Sequence, residues 1–302
     1  METRRGRRVL VTGGAGFIGS HLVEHLLRRG DEVVALDDLS GGDRANLAAE
    51  VPFVLADVAD PATADAVAKV RPDAVVHAAA QVSVLRSMNE PARDRAVNLL
   101  GTAHVIEGAR RAGGARVVFV STGGGIYGET VDPATEESLP RPKAFYSVHK
   151  YAAERYLELS GLPYAIARLA NVYGPRQRSD LEGGVVAIFA ERLAAGVPIA
   201  VFGTGEQRRD FVHVADVVAA LAATLDAAED GTWNVGTGRA TTINELLAEA
   251  ELVYGTATAV ERLPARAGDV FSSCLSVEKI GRELGWRPAV ALAEGLRLVG
   301  AA

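Results

Sequence analysis

The sequence has 302 residues, 48% of them hydrophobic, and a formal net charge of −6 at pH 7. That length accommodates one large α/β domain, or one domain with a smaller lobe. The acidic balance argues against a nucleic-acid partner, and no segment is apolar and long enough for a signal-peptide core or a membrane span. The single cysteine, Cys274, cannot form an internal disulfide, and no Cys/His cluster has zinc spacing. We therefore expect a cytoplasmic protein with no metal site and no membrane partner.

The first elements are a strand, a glycine-rich turn and a helix. A buried strand over 9–11 leads into a turn with three evenly spaced glycines, and the helix that follows ends at Gly30. Glycine lets the backbone approach a pyrophosphate closely, and the helix N-terminus favours its negative charge. We predict that the turn binds a dinucleotide through Gly13, Gly16, Phe17, Ile18 and Gly19.

A second strand over 32–36 ends in Asp37, about 20 residues beyond the turn. A carboxylate at this place accepts both adenosine-ribose hydroxyls and repels a 2′-phosphate, which favours NAD over NADP. The alternative is a strand-end Asp that only caps a turn. We predict NAD as the cofactor and assign Asp37 and the adjacent Asp38 to its site.

Strands and helices continue to alternate up to a fifth strand over 116–120, after a long helix over 91–112. Such alternation of apolar strands and helices predicts a parallel sheet covered on both faces, with the ligand crevice at the carboxyl ends of the strands. The small side chains after the fourth strand serve either close ligand approach or strand–helix packing. At this edge we expect further cofactor contacts from Asp57, Val58, Ala78, Ala79, Ala80, Asn98 and Ser121.

A hydroxyl- and glycine-rich loop over 121–128 precedes a predicted helix that carries Tyr146 and Lys150 on one face. A lysine ammonium near a phenol stabilises the phenolate and lowers its pKa. That makes Tyr146 a general base for a substrate hydroxyl, while Lys150 can also hold the ribose of a nicotinamide nucleotide. Taken alone, a Tyr and a Lys at this spacing are usually solvent-exposed side chains with no catalytic role. The assignment therefore depends on the dinucleotide-binding pattern that precedes them.

Together these motifs resemble the extended short-chain dehydrogenase/reductase family, in particular its nucleotide-sugar epimerases and dehydratases. The resemblance covers nearly the whole chain, because the motifs at 12–19, 146–150, 209–216 and 234–238 match in order. It implies a tightly held NAD, a UDP-sugar substrate and a homodimer built from the long helices around Ala96 and Tyr151.

The resemblance also implies the domain organisation. We expect a Rossmann-type doubly wound parallel sheet over residues 1–172, joined by parts of 210–236. A smaller C-terminal substrate-binding lobe would occupy residues 173–302.

By resemblance, most substrate contacts lie in the second half. In the family, arginines at the matching motif positions bind the pyrophosphate, for which the guanidinium fork is suited, and an Asp holds the uridine ribose. Core packing is the alternative for the two apolar side chains, and a solvated surface position for any single arginine. The expected substrate contacts are Ser83, Asn171, Val185, Ala200, Phe202, Arg209, Arg266 and Asp269.

The expected reaction follows from what the loop lacks. Dehydratases of the family carry an Asp-Glu pair before the Tyr-Gly of this loop, whereas this sequence has Gly124, Gly125 and Ile126. A 4-epimerase needs no such pair, since the 4-keto sugar rotates to present its other face and takes the same hydride back. We therefore expect an NAD-dependent UDP-sugar 4-epimerase, with UDP-glucose and UDP-galactose as the first candidates.

Several alternatives stay open. Gly123 stands where the family usually carries a catalytic Ser or Thr, and we favour Thr122 as the substitute over Ser121 or no hydroxyl. Arg178 either meets the C6 carboxylate of UDP-glucuronate or is a solvated charge, and the glycine-lined loop can admit the N-acetyl group of UDP-N-acetylglucosamine. A catalytically idle NAD-binding regulatory protein is the alternative from another class, and it would need only the glycine turn and Asp37.

Overall fold

The computed structural model describes residues 6–180, 184–265 and 270–300. The chain forms two compact units. Unit 1 consists of Met1–Ser121, Ala144–Ala167 and Val218–Trp233, and unit 2 consists of Thr122–Lys143, Arg168–Val217 and Asn234–Ala302. The expected domain boundary after residue 172 stays a prediction. The two units are defined by how the chain packs, whereas the expected domains are defined by the ligand that each would bind. None of the described helices has the length and apolar character needed to cross a membrane.

The strands of the described ranges are, in chain order, β1 (Arg8–Thr12), β2 (Glu32–Asp37), β3 (Phe53–Leu55), β4 (Ala74–His77), β5 (Arg116–Thr122), β6 (Tyr164–Leu169), β7 (Asn171–Tyr173), β8 (Ile199–Phe202), β9 (Arg208–His213), β10 (Gly231–Val235), β11 (Ala240–Thr242), β12 (Val260–Leu263) and β13 (Ser272–Ser273).

The α-helices are α1 (Phe17–Arg29), α2 (Thr63–Val70), α3 (Val84–Asn89), α4 (Pro91–Arg95), α5 (Gly101–Arg111), α6 (Gly123–Tyr127), α7 (Phe145–Glu158), α8 (Val185–Ala195), α9 (Val214–Asp226), α10 (Ile243–Tyr254), α11 (Glu278–Leu284) and α12 (Leu292–Gly300). A 3-10 turn spans Arg44–Asn46, and a π-helical segment spans Ala96–Leu100.

The main sheet has seven strands in the order β10-β6-β5-β4-β1-β2-β3. Strands β3, β2, β1, β4 and β5 pair in parallel, with Leu10 between Val34 and Val75. These side chains pack with Val105 of α5 and Leu157 of α7 in the core of unit 1. The strand order reverses at β1 and β4, which is where open α/β sheets bind ligands. The doubly wound parallel sheet expected from the sequence is confirmed.

Unit 2 has its own core, in which Tyr173, Phe189, Phe211 and Leu246 are buried together. Its central strand is β9, which pairs with β11 in antiparallel and with β7 and β13 in parallel. A separate parallel pair joins β8 to β12.

The segment predicted as a loop over 121–128 is wrong in one part, because Gly123–Tyr127 forms the short helix α6. Glycine has a low helix propensity, so three consecutive glycines indicated a loop. The helix forms because the Thr122 side chain caps it, accepting a hydrogen bond from the Gly125 N–H at 3.3 Å.

Two further elements are interrupted. The chain over 164–173 divides into β6 and β7, because the Ala170 N–H donates to the Val235 carbonyl and the chain then joins β9. The helix predicted over 91–112 contains the π-helical segment between α4 and α5. Such segments are frequent at functional sites, and this one carries the predicted site residue Asn98.

Candidate active site

The glycine turn between β1 and α1 has the geometry of a dinucleotide cradle. Gly13 has a φ of +67°, and a Cβ there would lie 2.7 Å from the Ala79 nitrogen. A Cβ at Gly19 would lie 2.0 Å from the Gly13 carbonyl oxygen, so neither position tolerates a side chain. Helix α1 starts after Gly16 with no side-chain cap and no acidic residue in its first turn. The first-turn N–H groups therefore point toward a space that suits an anion.

Asp37 ends β2 beside this turn and is 6% exposed. Its Oδ2 accepts from the Ala15 N–H at 3.0 Å and its Oδ1 from the Leu39 N–H at 2.8 Å. Burial raises the pKa of this carboxyl, and the two N–H donors act in the opposite direction. A carboxylate offers about four lone-pair sites, so acceptor capacity remains for two ribose hydroxyls. The adjacent Asp38 is exposed and accepts from the Ser40 N–H and hydroxyl.

The predicted residues along the next strand ends lie in different environments. The exposed Asp57 accepts from the Ala59 N–H at 2.8 Å, whereas Val58 is buried in the core of unit 1. The Ala78 and Ala79 N–H groups donate to the Thr12 carbonyl and hydroxyl, so the backbone after β4 lies directly against the end of β1. Ala80 continues this half-buried run of small side chains.

Asn98 lies on the π-helical segment and is 1% exposed. Its Nδ2 donates to the Gln81 carbonyl and to Asp94 Oδ1, both at 2.9 Å. Its Oδ1 is buried and has no hydrogen-bond partner among the described residues. A buried acceptor that has no donor within the protein indicates that a ligand supplies one. The glycine cradle, the Asp37 carboxylate and this amide oxygen together fit NAD.

Lys150 is 2% exposed on α7. Its Nζ donates to the Val120 carbonyl at 2.6 Å and lies 4.0 Å from the centre of the Phe119 ring. Burial lowers the pKa of Lys150 to about 7, against the opposing charges of Glu154 and Asp94. Tyr146 is half-buried one turn earlier, so both side chains project from the same face of α7.

The hydroxyl groups at the end of β5 differ in their contacts. Ser121 Oγ donates to the buried Glu154 Oε1 at 2.5 Å, which commits its proton. The Thr122 hydroxyl accepts from the Gly125 N–H and keeps its own proton to donate. At Gly123, a Cβ would lie 2.6 Å from Leu275 Cδ1, so the chain packs where the family usually carries a hydroxyl. These contacts favour Thr122 over Ser121 as a hydroxyl donor.

Sequence reasoning missed the buried polar side chains that support α7. Asp94, His149 and Glu154 are all buried and hydrogen-bonded around the Tyr146–Lys150 helix. His77 is also buried, and burial together with the Lys150 charge lowers its pKa to about 3, which keeps it neutral. The partners of these residues are distant in the sequence, so no local pattern could have indicated them.

Ser83 is the one predicted substrate contact in unit 1. Its hydroxyl caps α3 by accepting from the Arg86 N–H at 2.9 Å.

The other predicted substrate residues belong to unit 2. Asn171 begins β7, and a Cβ on Gly124 would lie 3.9 Å from its Oδ1 and 3.0 Å from Ser273 Oγ. Arg209 lies on β9, with Nη1 donating to the Arg208 carbonyl at 2.8 Å and to the Phe271 carbonyl at 3.4 Å. Val185 begins α8 and packs against the core of unit 2. Ala200 and Phe202 lie on β8, while Arg266 and Asp269 lie outside the described residues.

The motif at 234–238 has a structural role in unit 2. The Thr237 and Gly238 N–H groups donate to the buried Asp210 carboxylate, which also accepts from the Leu275 N–H. Asn234 Oδ1 accepts from the Tyr127 hydroxyl at 3.0 Å. This part of the resemblance therefore reflects buried hydrogen bonds that hold loops in place.

Comparison with known proteins agrees with this geometry. Residues 9–236 match the family described as the NAD dependent epimerase/dehydratase family. A UDP-glucose 4-epimerase of Mycolicibacterium smegmatis is 43% identical over 300 residues, covering 96% of each chain.

Two solved structures are similar over nearly their whole length. The UDP-glucose 4-epimerase of Thermotoga maritima, solved with UDP-glucose, has a TM-score of 0.94 at 42% identity and covers 97% of each chain. The UDP-glucose 4-epimerase of Thermus thermophilus, solved with NAD, has a TM-score of 0.93 at 45% identity, covering 97% of this chain and 98% of its own. From its sequence and its fold, the chain belongs to the NAD-dependent epimerase/dehydratase family.

Proposed function

We propose that this protein is an NAD-dependent UDP-sugar 4-epimerase that interconverts UDP-glucose and UDP-galactose. The observation that carries the proposal is the Tyr146–Lys150 pair on α7, with Lys150 buried against Val120 and Phe119. The names of the full-length relatives, UDP-glucose 4-epimerases in three organisms, support the same reaction.

Tyr146 and Lys150 perform the proton transfer. The Lys150 ammonium stabilises the Tyr146 phenolate, which accepts the proton of the sugar 4-hydroxyl at its Oη. NAD held by the glycine turn and Asp37 would supply the acceptor for the C4 hydride and the donor for its return, with no net consumption of cofactor. Tyr146 gives its proton back to the C4 oxygen after the 4-keto sugar has presented its other face. The Thr122 hydroxyl is our choice for a further donor to that oxygen.

The short helix α6 supports epimerisation over dehydration. Elimination of water requires an acid and a base beside the sugar ring, and α6 offers two glycines and the buried Ile126 where dehydratases of the family carry two acidic side chains. The epimerase reaction needs no such groups, because it returns the hydride to the carbon that lost it.

For the cofactor and the nucleotide we propose contacts that follow the family. The glycine turn would hold the pyrophosphate of NAD, and Asp37 the adenosine ribose. Arg209 has five N–H donors in a fork that suits phosphate oxygens, and we assign it, with Arg266, to the UDP diphosphate. Uridine and sugar contacts are assigned to Asp269, Asn171, Val185, Ala200, Phe202 and Ser83.

Arg178 lies in an exposed loop, where its Nε and Nη2 donate to both carboxylate oxygens of Asp180 at 2.9 and 2.6 Å. These contacts fit the alternative in which Arg178 is a solvated charge. We retain UDP-glucose as the proposed substrate because the full-length relatives are UDP-glucose 4-epimerases.

We further propose a cytoplasmic homodimer. The π-helical segment that begins at Ala96 and the helix α7 that carries Tyr151 lie side by side in unit 1 and expose large apolar side chains, including Leu100 at 46% and Tyr156 at 54%. A second copy covering this surface would bury it, and apolar patches of this kind commonly mark interfaces. Sedimentation of the wild type and of Val148→Glu tests the proposal, since the variant should shift the protein toward the monomer. A wild-type monomer would contradict the dimer.

The test of the reaction uses the purified protein with no added cofactor. UDP-glucose, UDP-glucuronate and UDP-N-acetylglucosamine are incubated in separate tubes, and the products are separated by chromatography. We expect UDP-galactose from UDP-glucose, which would establish the reaction, the substrate and the retained NAD together. No epimer in any tube, even with NAD supplied, would contradict the proposal.

A further inference from the structure

Asp94 on α4 is completely buried and accepts hydrogen bonds from three side chains. Gln81 Nε2 and Asn98 Nδ2 donate to Oδ1 at 2.7 and 2.9 Å. His149 Nδ1 lies 2.6 Å from Oδ2, and because the carboxylate can only accept, this nitrogen is the donor. The three donors come from the loop after β4, the π-helical segment and α7. One buried carboxylate therefore ties together three elements of unit 1.

Two of these elements carry predicted site residues. His149 is next to Lys150 on α7 and one turn after Tyr146, and the Phe145 ring stacks on its imidazole with centroids 6.1 Å apart. The Asn98 Nδ2 donates one hydrogen bond to Asp94 and one to the Gln81 carbonyl. The buried Oδ1 of the same amide therefore points away from these two acceptors. Asp94 thus connects the Asn98 amide with the second turn of α7, one turn after Tyr146.

Two further buried hydrogen bonds of α7 lie after His149 along the helix. Lys150 donates to the Val120 carbonyl, and Glu154 accepts from Ser121. The His149–Asp94 contact lies closer to Tyr146 along the helix than either of these. The negative charge of Asp94 also opposes the loss of the Lys150 proton on burial.

We propose that Asp94 and His149 are positioning residues for the reaction, holding Tyr146 on α7 and the Asn98 amide in the geometry that proton and hydride transfer require. A mutation that lies far from the reacting atoms can still displace a reacting group slightly, and such a displacement can lower the rate about 10²-fold. The inference rests on the proposed function for the identity of the reaction, and on the buried contacts alone for the positioning.

The kinetic test compares His149→Ala with His149→Asn, and both with Asp94→Ala. The amide nitrogen of Asn stands in for Nδ1 of His and keeps a donor to Asp94. We expect His149→Ala and Asp94→Ala to lower kcat about 10²-fold with KM for UDP-glucose nearly unchanged. His149→Asn should recover most of kcat, although Asn is a poorer helix former than Ala. Equal activity of His149→Ala and His149→Asn, or an unchanged kcat, would overturn the proposal.

Asp230→Ala is the control for loss of a carboxylate that links elements away from the predicted site, although its side chain is 43% exposed where Asp94 is buried. Asp230 accepts from Arg116 Nη1 at 3.3 Å and from the Tyr164 N–H at 2.8 Å, and so also ties elements of unit 1 together. Its partners lie at the amino ends of β5 and β6, away from the predicted cofactor edge. We expect this variant to lower the melting temperature and to leave kcat unchanged. If it lowers kcat as much as Asp94→Ala does, the effect of Asp94 is on stability alone and the proposal is wrong.

A second readout needs no substrate. Hydrogen exchange of the α7 amides from Val148 onward, which are hydrogen-bonded within the helix, and NAD affinity are measured in the wild type, Asp94→Ala and Asp230→Ala. We expect faster exchange over residues 148–150 and weaker NAD binding in Asp94→Ala only. Unchanged exchange and affinity would overturn the positioning role even if the wild type converts UDP-sugars. If the wild type converts none, the proposed function fails while this readout still decides the positioning role. Should Asp94→Ala not fold, the two His149 variants give the same comparison.

Discussion

Each unit of the molecule has a buried aspartate that accepts several hydrogen bonds, but the donors differ. Asp94 in unit 1 accepts from the side chains of Gln81, Asn98 and His149. Asp210 in unit 2 accepts mostly from backbone N–H groups, those of Thr237, Gly238 and Leu275, and also from the Thr237 hydroxyl. Side-chain donors become oriented groups near a site, whereas backbone donors fix the path of the chain.

The difference teaches that a buried carboxylate alone does not indicate function. Asp210 lies within a motif shared with the family, yet its partners are loop amides that it holds in place. Burial raises its pKa, and hydrogen bonds led by those of Thr237 act against that shift. Asp94 lies outside every motif recognised in the sequence, yet it supports the helix that carries Tyr146 and Lys150.

The largest effect should come from Tyr146→Phe. This variant tests whether the helix that Asp94 supports in unit 1 carries the general base. Removing the general base should lower kcat by about 10²- to 10⁴-fold. Bound NAD and the melting temperature should stay close to those of the wild type, since the phenol is only half-buried. Turnover by this variant at the wild-type rate would remove Tyr146 from the reaction. A wild type that holds NAD but turns over no UDP-sugar would instead favour the idle NAD-binding protein.

The second effect concerns stability. Asp210→Ala leaves the buried Leu275 N–H without its acceptor and also removes the acceptor of the less buried Thr237 and Gly238 N–H groups. An unsatisfied buried donor costs about 1–3 kcal/mol, so the free energy of unfolding should fall by at least about that amount. Labelling of the Cys274 thiol reports on the structure around Asp210. Cys274 is the only cysteine of the sequence, and its Sγ lies 3.9 Å from Asp210 Oδ2.

In the wild type that thiol should react slowly. Burial raises the pKa of Cys274 to about 12, with the Asp210 charge acting in the same direction. Thiol labelling should therefore be slow in the native wild type and faster in Asp210→Ala. Equal labelling rates in the two proteins would show that Asp210 does not hold this part of unit 2.

A smaller effect is expected at the cofactor. Hydrogen bonds to a charged group contribute about 1.5–3 kcal/mol, so Asp37→Ala should weaken NAD binding by about tenfold to a hundredfold. Loss of the negative charge should also relax the discrimination against NADP. Asp37→Asn is the control, since it keeps an acceptor for the Ala15 or Leu39 N–H while removing the charge. Unchanged selectivity for NAD over NADP in a titration would contradict the assignment of Asp37.

The smallest effect should come from Arg178→Ala. This exposed side chain is paired with Asp180, and exposed pairs contribute little. We expect no measurable change in kcat/KM for UDP-glucose or in the melting temperature. A selective loss of activity on UDP-glucuronate would revive the carboxylate-binding alternative.

The family, the α/β sheet and the dependence on NAD were predicted from the sequence and are confirmed. These features are local: the β1 strand, the glycine turn and α1 are contiguous, and Asp37 follows on the next strand. The spacing of Tyr146 and Lys150 places them on one face of any helix, because helical geometry depends only on neighbours along the chain. The individual roles of the site residues and the domain boundary stay predictions.

Tertiary structure alone decided the features that depend on distant partners. Asp94 meets His149, and Asp210 meets Leu275, only once the chain has folded, so no local pattern records either pair. The helix α6 forms against the propensity of its glycines, and the π-helical segment interrupts a helix that looked regular in sequence. The sequence by itself determined which groups are candidates for the reaction, because their chemistry and spacing are local. Folding decided which buried groups hold them in place, since those contacts join residues from separate elements of each unit.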